Sequence, residues 1–163
     1  MTTEIKARHW PNGKLRAEDS YQNGRLHGTC KGWYESGQLR YKWPFQNGNL
    51  HGVCKVWCEN GLLEHEWSYQ NNNVHGVCKG WYESGQLRYE DSYQNGEHHG
   101  ISKHWYENGQ SKYEGHYLYG SKVTKEEYFA ECPVVTSTTP SSSDKCGCSI
   151  GVIMSQGCQC GGT

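Results

Sequence analysis

VCKGWYESGQLRYEDSYQNGEHHG, from Val77 to Gly100, is the stretch that the rest of the chain copies. A step back of 24 residues sets Trp81 on Trp57, Gly85 on Gly61, Tyr93 on Tyr69 and Gly100 on Gly76. The next step reaches Trp33, Gly37, Phe45 and Gly52, and one more His9, Gly13, Tyr21 and Gly28. Forward, the copy runs through Trp105, Gly109, Tyr117 and Gly120. Five copies fill residues 1–123, and a fixed period of this size marks a repeat architecture.

Each copy carries two turn signals. Ser84-Gly85 recurs as Asn12-Gly13, Ser36-Gly37, Asn60-Gly61 and Asn108-Gly109; Asn95-Gly96 recurs as Asn23-Gly24, Asn47-Gly48, Asn71-Asn72 and Tyr119-Gly120. Such pairs tolerate positive φ, so both are read as two-residue type I′ turns. The segments between them are rich in Trp, Tyr, Val and Leu, which suit strands. The predicted fold is therefore all-β, a single-layer antiparallel array of hairpins with two strands per repeat. Ten strands would make a sheet on the order of 45 Å long.

An even period keeps each residue type on one face. Pairing Glu83 with Gln86 sets Tyr82 opposite Leu87, Gly80 opposite Tyr89 and Cys78 opposite Asp91, and the next turn sets Tyr93 opposite His98. Cys78, Gly80, Tyr82, Leu87, Tyr89 and Tyr93 then share an inner face, where bare backbone at Gly80 leaves room for the Tyr89 ring. The outer face holds Lys79 with Glu90, Lys55 with Glu66 and Lys103 with Glu114, while Lys31 meets Lys42. It also places Trp81 against Arg88, Trp33 against Arg40 and Trp105 against Lys112, a cation–π geometry. Trp33, Trp57, Trp81 and Trp105 with Arg40 and Arg88 are thus the candidate partner-binding residues, since exposed rings with arginine anchor protein contacts.

Composition narrows the function. The net charge is −1 with both signs interspersed, which argues against nucleic acid as a partner because phosphate binding needs a basic stripe. No apolar run reaches 18 residues and Met1-Thr2-Thr3-Glu4 starts no signal peptide, so a cytoplasmic location is expected, a host's cytoplasm if the source is viral. Twenty-one glycines, 12 tyrosines and 7 tryptophans against 2 phenylalanines rule out a thick core. Stability must be summed over contacts between neighbouring repeats. No phosphate loop, nucleophile elbow or His-Glu-x-x-His is present, so no enzyme is expected.

Two ladders run through the repeats. His27, His51, His75 and His99 each precede a glycine, and Cys30, Cys54 and Cys78 recur on the inner face. Equivalent positions lie two strands apart, about 9–10 Å, too far to share one zinc or to form a disulfide. The histidines are read as part of the turn exit and outer face, and the cysteines as small buried residues.

At the N-terminal end Glu4 to Trp10 reads as an edge strand, with Lys6 and Arg8 discouraging further pairing. After the repeats, Thr124-Lys125-Glu126-Glu127 is a capping box, predicting a short capping helix over 124–132 that Pro133 stops. Residues 133–145 read as a polar, flexible linker, and 146–163 as a disordered Cys/Gly-rich tail. Cys146, Cys148, Cys158 and Cys160 offer four thiolates for zinc, although the usual closed site spaces its pairs Cys-x2-Cys. A disulfide or redox element, an acylation anchor or a mobile tail are the other readings, and the spacing does not choose among them.

The repeat resembles that of MORN proteins (membrane occupation and recognition nexus), whose unit is close to Tyr-x-Gly-x-Tyr/Trp-x-x-Gly-x-x-x-Gly. Residues 113–120 match its first part, and 89–100 match with Asp91 in place of the glycine; Trp43 and Trp67 replace it in the second and third copies. The Trp-Tyr-Glu-Asn/Ser-Gly-Gln-Leu block is similar to a variant in bacterial antitoxin-like proteins and in large DNA viruses. The resemblance implies a hairpin array used for protein contacts, with phospholipid binding in some members and no shared enzymatic activity. The function expected is a protein–protein interaction scaffold, binding a protein partner or a second copy of itself. The alternatives are an antitoxin-like inhibitor that sequesters a toxic enzyme, or a lipid- or metal-associated protein acting through the tail.

Overall fold

A computed structural model describes residues 2–132; the linker, the tail with its four paired cysteines, and Pro133 lie outside them. One antiparallel sheet runs through the described chain as a meander. It opens with β1 (Thr3–His9) and β2 (Leu15–Gln22). The next three repeats each begin on a two-residue strand: β3 (Arg25–Leu26), β6 (Asn49–Leu50) or β9 (Asn73–Val74). Each is broken at His-Gly and resumes as β4 (Gly28–Trp33), β7 (Gly52–Trp57) or β10 (Gly76–Trp81). The chain then returns as β5 (Leu39–Gln46), β8 (Leu63–Gln70) or β11 (Leu87–Gln94). β12 (Glu97–Trp105), β13 (Ser111–Leu118) and β14 (Ser121–Val123) complete the sheet. The strands number 14 rather than ten because His-Gly breaks three of them and β14 adds one beyond the last hairpin.

The body of each hairpin has the expected register. Cys78 faces Asp91, Lys79 faces Glu90 and Gly80 faces Tyr89, and across the next turn Tyr93 faces His98. The Asn-Gly turns are two-residue turns with both central residues at positive φ, as at Asn95 (52°) and Gly96 (90°). Tyr119-Gly120 adopts the same form (49° and 80°), so the turn tolerates a tyrosine in the left-handed region.

The Ser-Gly turns differ from the expectation. Only the glycine has positive φ, and the Tyr82 N–H donates to the Gln86 carbonyl while Gly85 N–H donates to Tyr82. This is a three-residue loop ending in a glycine bulge. Three copies stabilise it by an Asx turn: the Asn12, Asn60 and Asn108 side chains accept from the N–H groups of Lys14, Leu62 and Gln110 at 2.9–3.0 Å. The extra residue shifts the register between Gly80 and Trp81, so Trp81, not Tyr82, faces Leu87. A second irregularity recurs at His-Gly, where Ser92 alone stands opposite residues 99–101. Gly100 has φ +115°, and an added Cβ would lie 2.7 Å from Ser92 Cβ.

His-Gly also joins successive repeats. The N–H groups of Gly48, Asn72, Gly96 and Gly120 donate to the carbonyls of Leu26, Leu50, Val74 and His98 at 2.7–3.0 Å. His27, His75 and His99 accept through Nδ1 from the N–H groups of Asn47, Asn95 and Tyr119 at 3.3–3.4 Å. Each histidine therefore pins the next repeat's turn. The expected outer placement fails for His99, which is buried, with its ring against Tyr119.

No thick core forms. Ala17, Cys30, Cys54 and Cys78 are the buried apolar side chains of the first four repeats, and Cys54 is the largest fully buried side chain among the described residues. A second mode of burial closes the C-terminal end. Thr124 caps α1 (Lys125–Glu131) with both halves of the capping box in place. Tyr128 and Cys132 pack with Leu118 against Ile101, Val123 and Phe129. Leu118 and His116 point away from Tyr117, so the helix covers the face opposite the tyrosine row.

Candidate interaction surface

Register places Tyr41, Trp43, His65, Trp67, Tyr89 and Tyr93 on one face with His98, His104, Tyr113 and Tyr117. Alternation alone puts them there, and contact between repeats then orders the rings. Tyr41 stacks on Trp43 with centroids 4.4 Å apart, and His65 on Trp67 at 4.8 Å. Tyr89 reaches both neighbouring repeats: its hydroxyl meets Trp67 Nε1 at 3.0 Å and His65 Nδ1 at 3.2 Å, and its ring is tilted against His104. His98 lies between Tyr93 and Tyr117. Burial pushes the Tyr93 phenol up to about 12 and raises that of Tyr89, so both stay neutral donors at physiological pH.

Two solutions seat the repeat tyrosine. Where the residue two places on is Gly115, Tyr113 folds along its own strand, and a Cβ on Gly115 would stand 2.1 Å from the Tyr113 hydroxyl. Where Trp43 or Asp91 occupies that place, the ring crosses to the facing strand, and Tyr41 and Tyr89 lie over Gly32 and Gly80. The glycine has changed strands, but the close approach to bare backbone is kept. The third repeat uses neither, pairing Val56 with His65.

The cation–π pairs of the sequence reading require correction. Arg40 lies over Tyr34, Arg88 over Tyr89, and Lys112 over Tyr106, each at 5.5 Å. Among the described residues no cation lies over Trp33, Trp57, Trp81 or Trp105. The register shift beside each of these tryptophans interrupts the alternation on which the assignment rested. All four are half-buried. The structure brings Trp33 and Arg40 together with Arg8, Trp10, Arg16, Ala17 and Tyr41 around a cleft of about 110 Å³. Among the described residues, the rings that Arg40 and Arg88 cover are those of Tyr34 and Tyr89, not those of Trp57, Trp81 or Trp105.

The tryptophan carbonyls form a ladder that sequence reasoning missed. Trp33 accepts from Trp10 Nε1 at 3.2 Å, and Trp57 and Trp105 accept from the Tyr34 and Tyr82 hydroxyls at 2.8 Å. Each donor sits 23 residues before its acceptor, a signal visible in the repeat once the facing strands are known. Cys58 stands at the tyrosine position in the third copy and leaves the ladder one rung short.

On the opposite face the charge ladder is as expected. Lys55–Glu66 and Lys79–Glu90 close to 2.8 Å and Lys103–Glu114 to 3.9 Å. Cys30, Cys54 and Cys78 are free thiols, and burial pushes those of Cys54 and Cys78 up to about 11. They are protonated and poorly nucleophilic at neutral pH. Asp91, Ser102 and His104 meet, but not as a catalytic set. Ser102 donates to Asp91 at 2.5 Å, and the same imidazole atom, His104 Nε2, lies 3.1 Å from Asp91 and 3.4 Å from Ser102. In a nucleophilic triad opposite ring nitrogens serve serine and acid. Among the described residues, no three His, Cys, Asp or Glu side chains are placed to hold a metal.

These features define a class: a single-sheet hairpin repeat array whose side chains are spent on contacts between copies. The MORN repeat variant matches residues 8–23, 26–47, 74–95 and 99–119, and the chain belongs to the MORN-repeat family. The match passes over 48–73, the copy with Cys58, His65 and Asn72, yet that segment folds as the same hairpin. No curated protein matches the chain. Repeats of this family are a non-enzymatic type and commonly bind proteins or membranes.

Proposed function

We propose that the protein is a non-enzymatic scaffold that holds a protein partner against its ring-bearing face. The observation that supports this most strongly is the unequal covering of the two faces. Opposite the rings, the sheet has ion pairs in its last three repeats and a helix over its last strands. The ring face carries the stacked pairs Tyr41–Trp43 and His65–Trp67 and tilted ring contacts from His65 on to Tyr89, and from Tyr93 to Tyr117, and Trp43 is 38 % exposed within it. Rigid aromatic rings give large contact area at little entropic cost and are enriched where proteins dock.

Site-specific photocrosslinking in the native source tests this, with the probe at Trp43 or at the exposed Val53, which points to the other face. The reading expects one discrete protein adduct from position 43 and none from 53. Equal capture from both positions, or capture from 53 alone, would overturn it.

A further inference from the structure

Arg16 and Arg40 occupy equivalent places in the first two repeats. Each guanidinium lies over a ring, Arg16 over Trp10 at 4.8 Å and Arg40 over Tyr34 at 5.5 Å, and both line the 110 Å³ cleft with Trp33 and Tyr41. Stacking occupies the flat face of a guanidinium and leaves its N–H fork directed edgewise for a planar anion. The third arginine of the cleft, Arg8, is already held by Asp19 at 2.7 Å. Among the described residues no carboxylate lies within ion-pair distance of Arg16 or Arg40. Both side chains are exposed. The arrangement stops at the third repeat, where Glu64 replaces the arginine and Cys58 the ring.

The charge distribution has the same polarity. Residues 2–60 carry nine Lys and Arg against five Asp and Glu, whereas residues 61–132 carry six against eleven. The geometry points to this cleft as the docking point for an acidic segment of a polypeptide partner, its carboxylates held by Arg16 and Arg40 and its chain lying on Trp33 and Tyr41. This rests on the scaffold reading and specifies the partner's chemistry. Equivalent positions two strands apart are separated by roughly 10 Å, which a polyproline-II segment spans in about three residues with its first and fourth side chains on one side. Two acidic side chains at that spacing match the two forks. Nucleic acid and anionic lipid fit less well, because both need a continuous basic stripe. Here Arg8 is neutralised, and Glu64 bounds the site.

The test is titration of the ¹⁵N-labelled full chain with an end-blocked hexaglutamate peptide, read at the tryptophan indole resonances. Trp10 and Trp33 are expected to shift while Trp81 and Trp105 stay in place, with affinity falling at least tenfold between 50 and 300 mM salt. Arg16→Gln/Arg40→Gln, with an unchanged thermal midpoint, should weaken binding at least tenfold, and Arg88→Gln should not. Undiminished binding by the double variant overturns the inference, as do equal shifts with hexalysine. So does a silent hexaglutamate, including the case where oligothymidylate or phosphatidylserine vesicles move Trp10 and Trp33 instead. Failure here with discrete capture from Trp43 intact would remove the cleft and leave the scaffold standing. Loss of that capture with hexaglutamate binding intact would do the reverse.

Discussion

Gly80→Ala is the sharpest probe of how the array holds together. The Gly80 backbone is ordinary strand, with no positive φ, so an added methyl meets no conformational penalty of its own. It meets the Tyr89 ring: the new Cβ would lie 2.2 Å from Cε1, 2.7 Å from Cζ and 2.9 Å from Cδ1. The ring must move by more than an ångström, and its hydroxyl then leaves Trp67 Nε1 and His65 Nδ1. Overpacking costs about 1–3 kcal/mol and each lost hydrogen bond about 1 kcal/mol, against a gain of roughly 0.5 kcal/mol from replacing glycine in a strand. The net loss expected is about 2.5–4.5 kcal/mol, or on the order of 10 °C in thermal midpoint for an array of this size. Urea denaturation of Gly80→Ala, Tyr89→Ala and the double variant closes the cycle. In the Tyr89→Ala background the same Gly80→Ala change should turn neutral or stabilising, because the obstructing ring is gone. A loss of similar size in both backgrounds would refute the ring-over-glycine account.

Cys58→Tyr should complete the carbonyl ladder onto Trp81 and raise stability by about 1 kcal/mol, while Tyr82→Phe should lower it by a similar amount; urea midpoints decide both. Thr124→Ala removes the cap of α1 and should cost about 1 kcal/mol, detected as faster amide exchange through residues 125–131 before the repeats open. Burial lowers the pKa of His99, and of His65, where Glu64 opposes and Arg88 assists the shift. The folded state then binds fewer protons than the unfolded one, so stability is complete above about pH 6.5 and should fall as pH drops below it. Denaturation midpoints at pH 7.5 and 5.5 test the sign. Burial of Cys54 and Cys78 acts at the other end: their folded pKa of about 11 lies above the ordinary 9.0, so stability should be lost as pH rises from about 9 to 11. The same thiols should resist iodoacetamide at pH 8 until the chain is unfolded.

Much of this was readable before any coordinates. The Asn-Gly turns, the pairing of Cys78 with Asp91 and Gly80 with Tyr89, the Lys–Glu rows and the capped helix depend on residues close in sequence or on period-two alternation. The Ser-Gly turns were harder. A glycine at positive φ serves equally as the second residue of a two-residue turn and as the bulge of a three-residue one, and only the Tyr82–Gln86 hydrogen bond separates them. That single residue carried the arginines away from the tryptophans they were expected to meet. The histidine ladder's task of pinning the next turn could not be read from one repeat in isolation, because the N–H groups it meets lie 20 residues further on.

The spacing of 24 determined by itself that the chain is a meander of hairpins and which backbone positions face each other, because strand alternation and turn chemistry act over a few residues. Tertiary structure decided which ring rests on which glycine, which cation finds which ring, and which face the helix covers. Those outcomes depend on side chains brought together from neighbouring repeats, where one bulged residue redirects a guanidinium and a methyl group is enough to exclude a tyrosine.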